Sequence, residues 1–110
     1  MGLKRRNSKK EEFNRILLEA IDETLDVLGE SVKKTLLYYL KRDYSIEEKE
    51  IPKNFENFIS TLRDIFGEAG TAFLERRIVE ALYRRLGIPV PINLSFEEGI
   101  EEAIKLYVEK

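Results

Sequence analysis

The sequence predicts an all-α protein: a compact bundle of about five helices joined by short turns, with an extended proline-containing linker before the last helix. Three observations carry this expectation. Apolar residues recur at three- and four-residue steps along most of the chain. No stretch alternates apolar and polar side chains for the length of a strand except around "IPVPIN", where the prolines bar a central ladder position. Glycine and proline fall between the periodic stretches, where helices should start and stop.

The chain opens on a basic stretch. Residues 1–10 carry Lys4, Arg5, Arg6, Lys9 and Lys10 with almost nothing to bury, and are expected to form a flexible arm. That leaves residues 11–110 as a single helical domain. Glu11 and Glu12 stand where the first helix is expected to begin, at the positive end of its dipole. Phe13, Ile16, Leu17, Ala20, Ile21, Leu25 and Leu28 then share one face, opposite Glu19, Asp22, Glu23 and Asp26. Gly29 is placed to end that helix, and a second is expected from Ser31 to Arg42. So short a connection makes the two helices antiparallel neighbours.

"YSIEEKEIPKN" reads as a polar connector, with Ser45 and Glu48 as a capping box around a short turn and Pro52 stopping it. A third helix is expected from Asn54 to Phe66 and a fourth from Glu68 to Leu86, with Gly87 ending it. Pro89 and Pro91 keep the following linker extended. Ser95 and Glu98 form a capping box that starts the last helix.

Composition narrows the chemistry. Cys, His and Trp are absent, which removes thiolate nucleophiles, imidazole bases, Cys/His zinc sites and disulfides from this chain. Histidine is the commonest proton-transfer group at neutral pH, so an enzyme is not expected, and no catalytic, metal-binding or cofactor-binding residue is assigned. The 19 basic and 21 acidic side chains nearly cancel, so there is no global pull on nucleic acid. Abundant Lys, Arg and Glu with no Gln fit a protein from a hot environment. No apolar run is long enough for a membrane span, and the basic start has no apolar core of a secretory signal behind it. The expected location is the cytoplasm.

"GEAG", Gly67 to Gly70, has the spacing of the G-x-x-G loop of KH-type RNA-binding domains. Its middle residues are Glu and Ala rather than basic, the strands of a KH domain are missing, and no G-K-[ST] follows to make a P-loop. The glycines therefore read as a helix end at Gly67 and a close helix approach at Gly70. Beyond them, Arg76, Glu80 and Arg84 share a stripe, so Glu80 can neutralise both arginines at four-residue spacing. Glu75 and Arg85 point into the apolar arc, whereas Phe73 points out of it. A charge in a core needs a partner, from another helix or from another chain.

Several residues match a known pattern. Leu28-Gly29-Glu30-Ser31, Tyr38-Tyr39, Ile51-Pro52, Phe58, Ile65-Phe66-Gly67, Leu82-Tyr83 and Leu86-Gly87 lie at the helix ends and core positions of such a pattern. On these residues the chain resembles, over about residues 13–109, the small archaeal Nitrosopumilus output domain type five family. The resemblance implies a helical output module of archaeal signalling or regulatory proteins. It implies no catalytic or ligand-binding residue.

The leading expectation is a non-enzymatic regulatory or signal-output module acting through helix-mediated association with a protein partner or in a homodimer. Tyr38, Phe73, Glu75, Tyr83 and Arg85 are the candidate interaction surface, since aromatics and arginine concentrate at interface centres. The alternative is a nucleic-acid-associated protein using Lys4, Arg5, Arg6, Lys9, Lys10, Arg76, Arg77 and Arg84. No membrane partner is expected.

Overall fold

Phe13, Leu17, Ala20, Ile21 and Leu25 are all buried in the computed structural model of the chain, which describes the backbone of residues 2–109 and the side chains of residues 8–109. They form the core stripe of α1, Gly2–Val27, which packs most extensively on α3. At a rise of about 1.5 Å per residue this 26-residue helix is about 39 Å long, close to the 42 Å longest extent of the fold. Helix α1 begins at Gly2, so no helix boundary falls between residues 10 and 11. Glu11 and Glu12 consequently lie inside the helix rather than at its N-terminus. Lys and Arg are good helix formers, and the basic stretch needs no burial to continue the helix. The side chains of Lys4, Arg5 and Arg6 lie outside the described residues.

Helix α2, Glu30–Tyr44, follows after Gly29, whose φ of 97° serves both neighbours. The Gly29 N–H donates to the Asp26 carbonyl, and its own carbonyl accepts from the Lys33 N–H. At the other end Ser45 takes the left-handed position (φ 57°) that usually goes to glycine. The Ser45 and Ile46 N–H groups donate back to the Lys41 and Leu40 carbonyls, and buried Ile46 seals the turn. Because Ser45 ends α2, it does not cap the next turn. That capping box is formed by Glu47 and Glu50 instead, and it starts a 3-10 helix, Glu48–Lys53, that contains Pro52 and buries Ile51.

Helix α3, Phe55–Leu86, consists of two helical halves that meet at a kink at Gly67, where φ is 75° and ψ is 179°, outside the helical region. The expected third and fourth helices are thus both present, as the two halves of α3, and they part at Gly67 where the sequence placed the boundary. A straight helix of 32 residues would be about 48 Å long, more than the fold's longest extent. The kink folds both halves onto one core, with Phe58, Ile59 and Leu62 from the first and Leu74, Ile78, Ala81, Leu82 and Tyr83 from the second. Gly70 allows a close approach, but within α3: a Cβ there would lie 2.9 Å from the Phe66 Cβ. Gly87 ends α3 in the left-handed region (φ 74°), with the Ile88 N–H donating to the Tyr83 carbonyl.

The proline-containing connector leads to α4, Phe96–Tyr107, which starts with the expected capping box. The Glu98 N–H donates to the Ser95 hydroxyl at 3.1 Å, and the Ser95 N–H to the Glu98 carboxylate at 2.9 Å. Ile100 and Ala103 close the core. The chain is an all-α bundle with no strand among the described residues, and no described helix is long and apolar enough to cross a membrane.

Candidate functional site

Arg85, which the helical wheel places in the apolar arc, lies exposed and finds its partners on α1. Its guanidinium donates to Glu19 at 3.1 Å and to Glu23 at 2.8 Å, and Arg84 also pairs with Glu23. Two arginines at the negative end of α3 thus face two carboxylates of α1, a favourable placement for the helix dipole as well. The Arg84 and Arg85 hydrogen bonds hold the Glu23 carboxyl below its ordinary pKa. Since the folded pKa lies below the unfolded one, this stability is present above the unfolded pKa near 4.3 and is lost as pH falls through the folded value. All four side chains keep about a third or more of their surface exposed, so each pair contributes only about 0.2–1 kcal/mol. Acid titration of the melting temperature should therefore show a shallower loss for Glu23→Gln than for the native chain.

A second network centres on Lys33 of α2. Its ammonium pairs with Asp22 and, at 3.2 Å, with Asp26 on α1, and lies 3.7 Å from Glu48 of the 3-10 helix. Asp22 raises the Lys33 pKa, and Lys33 in turn lowers that of Asp22. Burial, with Asp22 next in size, pushes Glu48 the other way. This clasp ties three elements together.

The two networks account for charges; the aromatics divide differently. Tyr83 is buried, and its hydroxyl donates to the Gly99 carbonyl at 2.6 Å. It is a core side chain joining α3 to α4 and leaves the candidate interaction surface. Arg85 is exposed and paired with the α1 carboxylates. Tyr38 and Phe73 are both 60% exposed. Tyr38 stacks edge-on with Tyr39 at 5.5 Å, and the Arg42 guanidinium lies 4.6 Å from the Tyr39 ring, a cation–π arrangement.

Glu75 and Phe73 mark one place. Glu75 lines a groove of about 450 Å³ between the second half of α3 and the connector. Val79 and Arg76 continue the α3 wall; Val90, Ile92 and Leu94 form the facing wall, and Phe96 closes the end. Phe73 lies seven residues before Glu80, which also lines the groove, so at about 100° per residue the two share a stripe of α3. Ile92 is 83% exposed, more than any other large apolar side chain among the described residues. Arg76 is answered by Glu80 at 3.6 Å, whereas Glu75 has no ion pair among the described residues. Burial raises the Glu75 pKa, Arg63 opposes this and Glu97 adds to it. The fold therefore disfavours the charged form: the penalty is present above the folded pKa and vanishes below the unfolded one. Glu75→Gln should raise the melting temperature at pH 7, by a free energy on the order of 0.5 kcal/mol, and the gain should disappear near pH 3.

Of the basic candidates, the Lys9 ammonium sits 4.5 Å from the Tyr107 ring, and Lys10 and Arg77 are exposed. Arg84 pairs with Glu23 of α1, and Glu80 pairs with Arg76. Among the described residues, Arg76 and Arg84 face carboxylates, while Lys10 and Arg77 stand exposed elsewhere.

The connector is the part of this site that the sequence did not single out. Its signal was present, four apolar residues in a segment barred from both helix and sheet, but no period marks which of them face out. Among the described residues no group of three or more carboxylates is placed to hold a metal ion. No family model, no curated protein and no solved structure matches the chain.

Proposed function

We propose that this chain is a non-enzymatic regulatory or protein-interaction module of the cytoplasm, working by helix-mediated association with another protein or with a second copy of itself. The observation that carries this reading is the exposure of Phe73, on the α3 stripe it shares with the groove-lining Glu80, with Ile92 exposed in the lining of the same groove. Apolar side chains left in water around a groove favour burial against a partner. The interior gives no competing explanation for them: among the described residues every buried side-chain nitrogen and oxygen has a hydrogen-bond partner. The resemblance to signal-output domains supports the regulatory half of the reading.

Nucleic-acid association is the lesser reading, because Arg76 and Arg84 already face carboxylates. Affinity capture from cells of the source organism, with nuclease present, separates the two. The expected result is a protein retained by the native chain and lost with Phe73→Ser, whose melting temperature should not fall. Retention that disappears with nuclease, or weakens steeply with salt in a gel shift, would place the function with nucleic acid instead. Light scattering over a concentration series distinguishes a homodimer from a heterologous partner.

A further inference from the structure

The connector combines three properties that bear on what the groove holds. Between Pro89 and Leu94 its backbone makes no backbone–backbone hydrogen bond among the described residues, so the N–H groups of Val90 and Ile92, which precede the turn at the left-handed Asn93 (φ 66°), are free to donate. Val90, Ile92 and Leu94 line the groove and are substantially exposed. Opposite them lies a half-buried carboxylate, Glu75, with no ion pair among the described residues.

Resting on the reading of the chain as an interaction module, we infer that this groove binds an extended segment of a partner protein in which a lysine or arginine lies between two apolar residues at alternate positions. Free backbone beside an apolar channel is what an added extended segment uses: main-chain hydrogen bonds hold it and alternate side chains select it. Successive side chains of such a segment point to opposite sides, so residues i, i+2 and i+4 meet the groove together. The outer two pack on Val79, Val90 and Leu94. The central cation meets Glu75, which gains the direct ion pair it lacks among the described residues, where Arg63 acts on it only through space. An acidic segment is rejected by the same carboxylate, with Glu97 adding to the repulsion. The selectivity of the groove thus comes from one carboxylate, and its affinity from the connector.

The test uses the full chain labelled with nitrogen-15 and a synthetic capped heptapeptide, Ser-Val-Ser-Lys-Ser-Val-Ser, with a second peptide carrying Glu at the centre. Titration with the lysine peptide should shift the amides of Val79, Val90, Ile92 and Leu94 saturably. Glu75→Gln, expected to fold at least as well as the native chain, should weaken binding about threefold to fivefold. Glu30→Gln removes the same charge from the exposed start of α2 and should leave binding unchanged. Absence of saturable shifts, shifts spread over other surfaces, equal binding of the glutamate peptide, or indifference to Glu75→Gln would each overturn the inference. A cellular partner whose capture depends on Phe73 but not on Glu75 would overturn it while leaving the broader reading intact. Loss of any Phe73-dependent capture would end the broader reading, whatever the peptides do.

Discussion

Tyr83→Ala is expected to lower the stability of the chain by about 3–5 kcal/mol, a large share of the roughly 5–15 kcal/mol that holds a domain of this size together. The ring is buried between α3 and α4, and removing it opens a cavity in the only part of the core to which α4 is joined by a side-chain hydrogen bond among the described residues. Tyr83→Phe separates the two contributions. It keeps the ring and removes only the hydroxyl bond to the Gly99 carbonyl, so it should cost about 1 kcal/mol. Burial raises the Tyr83 pKa, which keeps the hydroxyl protonated as the donor this bond needs. Thermal or urea unfolding measures both losses. A Tyr83→Ala variant as stable as the native chain would show that the side chain is not part of the core and would return it to the candidate surface.

Gly67→Ala is the second large effect, about 1–3 kcal/mol, and its cause lies in the backbone alone. A φ of 75° with a ψ of 179° is open essentially to glycine. A Cβ at this position would meet nothing within 4 Å, so steric collision with neighbours contributes no part of the loss. Asparagine makes the argument sharper. It tolerates the ordinary left-handed region, so Gly87→Asn, at φ 74° and ψ 28°, should cost only a few tenths of a kcal/mol. Gly67→Asn should cost as much as Gly67→Ala, because its ψ lies outside that region. Equal tolerance of asparagine at both positions would mean that α3 does not need its kink.

How far the sequence foretold this depends on how local each feature is. The core stripes of α1 and of both halves of α3 follow from three- and four-residue spacing, and Phe13, Leu17, Ile21, Phe58, Leu62 and Ile78 all lie where that spacing puts them. The capping box at Ser95 and the stops at Gly29 and Gly87 depend on a few neighbouring residues, so they too were legible. Ser45 was harder, because a serine in the left-handed position is not what helix-end rules favour.

The site was legible only in part. The helical wheel marked Glu75, Arg85 and Phe73 as misfits but could not say which were satisfied inside the fold. The partners of Arg85 lie 62 and 66 positions away, and no spacing rule reaches so far. The Lys33 clasp joins residues 7 and 11 apart across a helix turn, outside the i,i+4 pairs that a single helix reveals. Tyr83 could be placed in the core only once α4 was seen to cover it. The groove itself requires the connector to fold back along α3, which depends on where α4 docks rather than on any motif in the connector.

The most direct test of the association reading is photo-crosslinking from position 73 in living cells. Phe73→benzoylphenylalanine places a reactive group on the exposed α3 stripe that includes Glu80 of the groove, and Lys34→benzoylphenylalanine places the same group on the exposed face of α2. Irradiation should join the chain to a protein, a second copy included, from position 73 and not from position 34. No adduct from position 73, or the same adducts from both positions, would contradict the account.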